Sequence, residues 1–377
     1  MIVTAIKENE GGETRAALTP DAVRKLVGLG VSIRVESGLG EAFGATDELF
    51  LKAGAEVVAD AAAALQGADL FVHIRPPRTV HLNLLKPGAI TLGFLDPFRN
   101  RAGLEELARR NGTALCLETI PRTTLAQKMD ALSSQASLAG YVSVLLGASR
   151  LPKLLPMMMT PAGTISPARV LVIGAGVAGL QAIATARRLG ARVEAYDTRP
   201  AAEEQIRSLG AKAVKLDIGE TGEAGGGYAR ELTPEQLERQ RASLAKHCSD
   251  ADLIITTAQV FGRPAPRILT AEMIAGMRPG SVVIDLAAAE DGSNVEGVRP
   301  DEEVTVRGVR LIGGNRLSTQ VPETASRMLA ANVANFIEQF WDRKNGVLDL
   351  EREDEILAGA MVVRGGKIVH PLFRKDG

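Results

Sequence analysis

The sequence predicts an α/β protein made of two doubly wound parallel-sheet domains with a cleft between them. Three observations carry that expectation. Short apolar runs alternate with helix-period patterns along most of the 377 residues, the rhythm of strand-helix-strand units. One run, Val170–Ile173, breaks into Gly174-Ala-Gly176-Val-Ala-Gly179 and then into a helical pattern. The stretch before it has the same rhythm without the glycines, so the chain is expected to fold as two domains, 1–135 plus 325–377 and 136–324.

Composition sets the class. Hydrophobic residues make up 45% and charged residues 24%, with a formal net charge of −1, as in ordinary globular proteins with ample core. Acidic and basic residues are interspersed, so no nucleic-acid footprint is expected. Charges at Lys7 and Glu8 fall where an export signal would need an apolar centre. No apolar stretch is read as reaching the roughly 20 residues of a membrane span. The two cysteines, Cys116 and Cys248, fit buried thiols in a reducing compartment. His73, His81, His247 and His370 form no ligand-spaced cluster, and no metal is expected.

In chain order, Ile2–Lys7, Val31–Glu36, Leu70–Ile74, Ile90–Leu95 and Ala114–Leu117 read as short buried strands. Between the first two lies a helix with Thr19 at its N-cap, Pro20 at its first position and Gly30 past its end. Thr46 and Gly54 bracket the next. A long helix is expected from Leu125 to about Leu146, with Thr124 and Gln127 as a capping box. Prolines at 152, 156, 161 and 167 then mark a fixed connector, and Met157-Met158-Met159 within it reads as core filler.

The glycine turn opens the second domain. Gly174 permits the tight turn, Gly176 lets backbone approach a pyrophosphate, and Gly179 lets helix and strand pack closely. The next apolar run, Val193–Tyr196, ends in Asp197, placed to meet the ribose hydroxyls of NAD(H) and to repel a 2′-phosphate. This is the Rossmann-like pattern in full. Later strands are Leu253–Thr257, Val282–Leu286 and Val309–Ile312. The candidate cofactor-binding set is Gly174, Gly176, Val177, Ala178, Gly179, Asp197, Thr198, Arg199, Tyr228, Thr257 and Ala258. Tyr228 lies in a glycine-rich segment that is either a plain surface loop or a lid over bound cofactor. From Pro322 a helical pattern returns, expected to lead back to the first domain.

The passage Pro121 to Tyr141 is polar for a buried helix. Helical spacing would put Gln127, Asp130 and Ser133 on one face. They form either a cap with solvated surface or a polar shell for a nicotinamide ring, with Arg122 holding the loop or a phosphate.

With those residues in view, PRTTLAQKMDALSSQASLAGY, GAGVAGLQAIATARRLGARVEAYDTR, AGGGYARE and NRLSTQVPETASRMLAANV resemble the NAD(H)-binding domain of proton-translocating nicotinamide nucleotide transhydrogenase. The resemblance runs over nearly the whole chain. It implies that Arg122, Gln127, Asp130 and Ser133 line the site of hydride transfer, that Tyr228 tips a mobile loop, and that Tyr141 lies near the site. It further implies a homodimer passing hydride between NADH and NADP(H) on a partner subunit. A membrane-spanning subunit would couple this to proton movement and hold the protein on the cytoplasmic face of the membrane.

The same scaffold resembles alanine dehydrogenase, the rival reading. Arg15 matches that family's first signature, whereas Arg75 stands where it has a lysine and Asp96 where it has the catalytic histidine. Its catalytic aspartate falls on Ala289, with Glu290 and Asp291 adjacent. Reducing an imino or keto acid needs a proton donor, for which His73 beside Arg75 is the candidate; hydride passage between two nicotinamides needs none. A non-catalytic NAD-binding regulatory module is the third reading.

Overall fold

The computed structural model describes residues 1–219, 221–222 and 230–374. They form two compact units, Met1–Gln135 with Thr319–Gly377, and Ala136–Ser318. The chain starts with β1 (Ile2–Ala5), β2 (Ser32–Glu36), β3 (Glu56–Val58), β4 (Leu70–His73), β5 (Ile90–Gly93) and β6 (Thr113–Cys116). These lie side by side as β3-β2-β1-β4-β5-β6, all parallel. Parallel strands are covered on both faces by their crossover helices, and all four residues of β4 are accordingly buried.

Helix Pro20–Val27 starts on proline and buries Ala22, Val23 and Leu26. Thr19 has the extended backbone of an N-cap, but its hydroxyl makes no capping bond. Gly30, at φ +88°, reverses the chain into β2, and Gly54 closes helix Asp47–Ala53 in the left-handed region. Most apolar runs outlast their strands by one or two residues, because the residue after a strand turns into its loop while staying buried.

The long helix runs Ala131–Arg150, six residues later than the pattern at Leu125 predicts. Gln127–Met129 is a 3₁₀ turn instead, and the capping box at Thr124 does not form. The reason is Asp130. Its backbone (φ −72°, ψ 85°) leaves the helical region, and its carboxylate accepts from the Ser133 amide at 2.8 Å and the Ser133 hydroxyl at 2.5 Å. A carboxylate caps a first turn better than Thr124 could, with the dipole in its favour.

By length and mean hydropathy (1.2) this helix could cross a membrane, contrary to the sequence reading. Only 39% of that stretch is buried here, but its glycines are packed closely. A Cβ on Gly140 would lie 2.1 Å from the Ala178 carbonyl oxygen, and one on Gly147 would meet the Leu253 side chain at 2.6 Å.

Next comes a hairpin, β7 (Met158–Thr160) and β8 (Gly163–Ile165), exposed throughout. The methionines are not core filler: Met157 is 60%, Met158 42% and Met159 75% exposed. Among the described residues this ribbon pairs only with itself.

The second sheet comprises β9 (Arg169–Ile173), β10 (Arg192–Tyr196), β11 (Lys212–Ala213), β12 (Leu253–Thr256), β13 (Val282–Asp285), β14 (Glu303–Val306) and β15 (Val309–Gly313). Its order is β11-β10-β9-β12-β13-β15-β14, with only the β14 edge antiparallel. From β11 to β15 this repeats the first sheet's order.

The chain then returns to the first unit. Helix Pro322–Gln339 buries Leu329, Val333, Phe336 and Ile337. A small ribbon follows, β16 (Trp341–Asp342) with β17 (Val347–Leu348). Finally β18 (Met361–Arg364) pairs antiparallel with β6, and β19 (Lys367–Ile368) pairs with β18. Both cysteines are buried and unbridged; burial pushes the Cys248 thiol up to about 12.

Candidate functional site

In the second unit the strand order reverses between β9 and β12, the position at which open α/β sheets receive ligands. The glycine turn lies there. Gly174 has φ +96°, and a Cβ on it would stand 2.5 Å from Thr257 Oγ1. A Cβ on Gly179 would stand 1.9 Å from the Gly174 carbonyl oxygen. Both are required by close packing, and the Thr257 hydroxyl donates to that same carbonyl at 3.0 Å.

Gly176 is different. Its φ of −76° suits any residue, and a Cβ there meets nothing within 4 Å. The fold does not demand a glycine at this point; it leaves open space above a helix start. Helix Val177–Arg188 has no side-chain cap, so the first-turn amides of Val177, Ala178 and Gly179 lack acceptors inside the helix. A pyrophosphate fits that opening on chemistry, facing free N–H groups and the positive end of the dipole.

Asp197 follows β10 as expected. Its carboxylate accepts from the Ala175 amide (2.7 Å) and the Arg199 amide (2.8 Å), and from Arg199 Nε and Nη2, each at 3.0 Å. Two of these four bonds belong to backbone. Ribose hydroxyls would therefore exchange with the Arg199 guanidinium, not with the turn. Thr198 lies between them, and its carbonyl accepts from the Thr221 hydroxyl. Tyr228 lies outside the described residues.

Ala258 is fixed by residues that sequence reasoning missed. Buried Asn294 accepts from the Ala258 amide (2.9 Å) and donates to the carbonyls of Ala258 and Pro266. Asp285 in turn accepts from the Asn294 amide and the Thr256 hydroxyl, and burial raises its carboxyl above the usual range. The signal was there: an aspartate closing the apolar run Val282–Ile284 must find partners if it is buried.

In the first unit Asp130 and Ser133 meet, as described above. Gln127 is exposed on the turn that leads into that pair and its side chain makes no bond to it, and Arg122 is exposed upstream of that turn. The turn is pinned from helix Pro322–Gln339: the Lys128 carbonyl accepts from Asn332 Nδ2 (3.0 Å) and Asn335 Nδ2 (2.8 Å), and Asn332 also accepts from the Ser134 hydroxyl. Two asparagines inside the apolar pattern from Leu329 to Phe336 were the overlooked cue.

The groups a keto-acid enzyme would need are otherwise engaged. Arg15 is paired bidentately with Glu13 and donates to Gln135. His73 is fully buried. Neither ring nitrogen has a hydrogen-bond partner, and burial holds its pKa down to about 3. It is a neutral core residue. The Arg75 amide is taken by Glu8, which also accepts from Ile74; burial raises Glu8 to about 7. Asp96 sits at φ +48° with its amide held by Glu118.

Two sheets of one strand order, one carrying a glycine turn closed by an aspartate, define a two-domain protein of the Rossmann class. Residues 4–139 match the N-terminal domain of alanine dehydrogenase/PNT, and residues 143–371 its C-terminal domain. The chain belongs to the alanine dehydrogenase/PNT family. It is 43% identical over 384 residues to an NAD(P) transhydrogenase subunit alpha chain of Rhodospirillum rubrum, with all of both chains covered. The crystal structure of transhydrogenase from Sinorhizobium meliloti superposes with a TM-score of 0.85 at 39% identity, over 99% of this chain and 100% of that one. An L-alanine dehydrogenase structure superposes with a TM-score of 0.82 at 26% identity, over 99% and 98%.

Proposed function

We propose that this chain is the NAD(H)-binding component of a proton-translocating transhydrogenase, passing hydride between NADH and NADP⁺ held on a partner subunit. The observation that carries the reading is the open space at Gly176 above uncapped helix amides, with Asp197 fixed beside it. Gly174, Gly179 and Thr257 keep the turn tight; Val177 and Ala178 offer amides to the phosphates. Asp197, once it exchanges Arg199 for ribose hydroxyls, favours an unphosphorylated ribose. Thr198 and Ala258 border this set, and Tyr228 belongs to it by resemblance.

Bound NAD(H) supplies the hydride at its nicotinamide carbon. The chain's own residues orient: Gln127 presents an amide, Asp130 and Ser133 a hydrogen-bonded carboxylate and hydroxyl, and Arg122 a cation for loop or phosphate. No proton is transferred at the reacting carbons, so an acid–base histidine is superfluous, in keeping with the buried neutrality of His73. The exposed methionine hairpin supports a homodimer, since a second copy would cover its apolar face. An NADP(H)-binding subunit and a membrane-spanning subunit complete the assembly at the cytoplasmic face of the membrane.

The test mixes the full chain with the NADP(H)-binding subunit and follows NADH-dependent reduction of an NADP⁺ analogue. Hydride transfer is expected. Its absence, together with pyruvate- and ammonia-dependent NADH oxidation by this chain alone, would make it an alanine dehydrogenase. Tight NADH binding with neither activity would make it a regulatory module.

A further inference from the structure

Away from the glycine turn, at the amino ends of β9 and β10, the second unit holds a cavity of about 350 Å³, at the lower end of the ~300–1,000 Å³ usual for small-ligand sites. Four of its lining residues are cations: Lys153, Arg169, Arg192 and Arg278. Two carboxylates, Asp250 on the wall and Asp252 close by, are the counter-charges, and they are already divided. Asp252 Oδ2 accepts from Lys153 at 2.9 Å and from the Arg169 amide at 2.8 Å. Arg278 donates to the Asp250 backbone carbonyl but reaches the other Asp252 oxygen only at 3.7 Å, and Arg169 reaches the Asp250 carboxylate only at 3.4 Å. Among the described residues the Arg192 guanidinium has no hydrogen bond or ion pair. The site is left with two more positive charges than negative ones.

The backbone register concentrates that excess. Arg192 and Arg169 are direct partners on adjacent parallel strands, about 4.8 Å apart along the hydrogen-bonding direction. Like charges so placed oppose folding unless a counter-ion lies between them. Guanidinium pairs match tetrahedral oxyanions in bidentate fashion, and the Ser166 hydroxyl adds a neutral donor to the same wall.

We propose that this cavity is a second anion site, which binds a phosphate-bearing ligand through Arg169, Arg192 and Arg278. Five strand residues separate it from the glycine turn, roughly 15 Å at the usual rise. Its occupant and a dinucleotide at Gly176 therefore do not compete, and the proposal does not depend on the transhydrogenase reading.

The experiment is calorimetric titration of sodium pyrophosphate and of orthophosphate into the full chain, with and without saturating NADH. NADH affinity is measured on the same preparations, so a failure of the nucleotide reading is seen separately. With NADH saturating the glycine turn, one pyrophosphate per chain is expected at the cavity. Arg192→Gln with Arg278→Gln should weaken it at least about tenfold while leaving NADH affinity as it was. Arg192→Lys, which keeps the charge but not the bidentate fork, should bind more tightly than Arg192→Gln and more weakly than wild type. Sedimentation with phosphatidylcholine vesicles containing phosphatidate identifies the source: vesicle binding lost in the double variant means a lipid headgroup, and pyrophosphate binding without it means a soluble ligand. No saturable binding at millimolar anion, or binding untouched by the double variant, overturns the proposal.

Discussion

Gly176→Ala separates what the fold needs from what a ligand needs. The backbone at φ −76° accepts alanine, and the added methyl meets no atom within 4 Å. Loss of unfolded-state freedom would stabilise by about 0.4–1 kcal/mol, and alanine's poorer fit at an N-cap costs about as much. Net stability should stay within about 1 kcal/mol of wild type, a Tm change of a few degrees at most. A pyrophosphate bound to the first-turn amides would meet that methyl. Moving it away by about 1 Å forfeits one or two hydrogen bonds to a charged group, at about 1.5–3 kcal/mol each, which amounts to a loss in affinity of at least about tenfold. Gly179→Ala is the control of opposite kind. Its Cβ would stand 1.9 Å from a carbonyl oxygen, so the fold itself should lose about 1–3 kcal/mol. Fluorescence titration with NADH gives the affinity, and urea unfolding gives the stability. Wild-type NADH affinity in Gly176→Ala, or unfolding as severe as in Gly179→Ala, would refute the assignment of that opening to the phosphates.

Asp130→Ala should slow hydride transfer by about ten- to a hundredfold with NADH affinity nearly unchanged, and remove about 1 kcal/mol of helix capping; Asp130→Ser, which keeps a capping oxygen, should recover the stability but not the rate. Equal losses of rate and affinity would make the residue a general binding group. His73 is held neutral with a pKa of about 3 against about 6.5 when unfolded, so below pH 6.5 the unfolded chain takes up the proton first and stability falls as pH drops towards 3. That slope is about 1.4 kcal/mol per pH unit. His73→Leu should be less sensitive between pH 7.5 and 5 by about 2 kcal/mol, with hydride transfer intact; parallel urea-unfolding curves, or lost activity, would count against a core role. Met158→Lys with Met159→Lys should leave the monomer folded, since both positions are exposed, and shift sedimentation from dimer towards monomer. An unchanged dimer would exclude the hairpin from the interface.

Much of this architecture is written in short patterns. Parallel strands buried on both faces read as unbroken apolar runs, so β4, β9 and β12 stood out, and the glycine turn declared itself because backbone clashes at Gly174 and Gly179 permit nothing larger. Edge elements were illegible for the converse reason. β3, β14 and β19 are short and half exposed, with no periodicity strong enough to mark them. The helix at Ala131 was misplaced because pattern alone cannot say which of two candidate caps wins; Asp130 wins by charge and by the hydroxyl at Ser133. The Met triplet misled through composition, since apolar residues signal burial but not by what. Asn294, Asn332 and Asn335 escaped notice because a brace is defined by the carbonyl it holds, and that carbonyl is distant in sequence.

Chain order gives the sheet of the first unit one more consequence. Strand β6 waits for β18, nearly 250 residues downstream. A growing polypeptide can therefore complete the inserted unit, Ala136–Ser318, while the unit begun earlier still has an open edge. A premature stop before Met361 would leave the glycine turn whole and injure the oldest region of the molecule, stripping β6 of its neighbour.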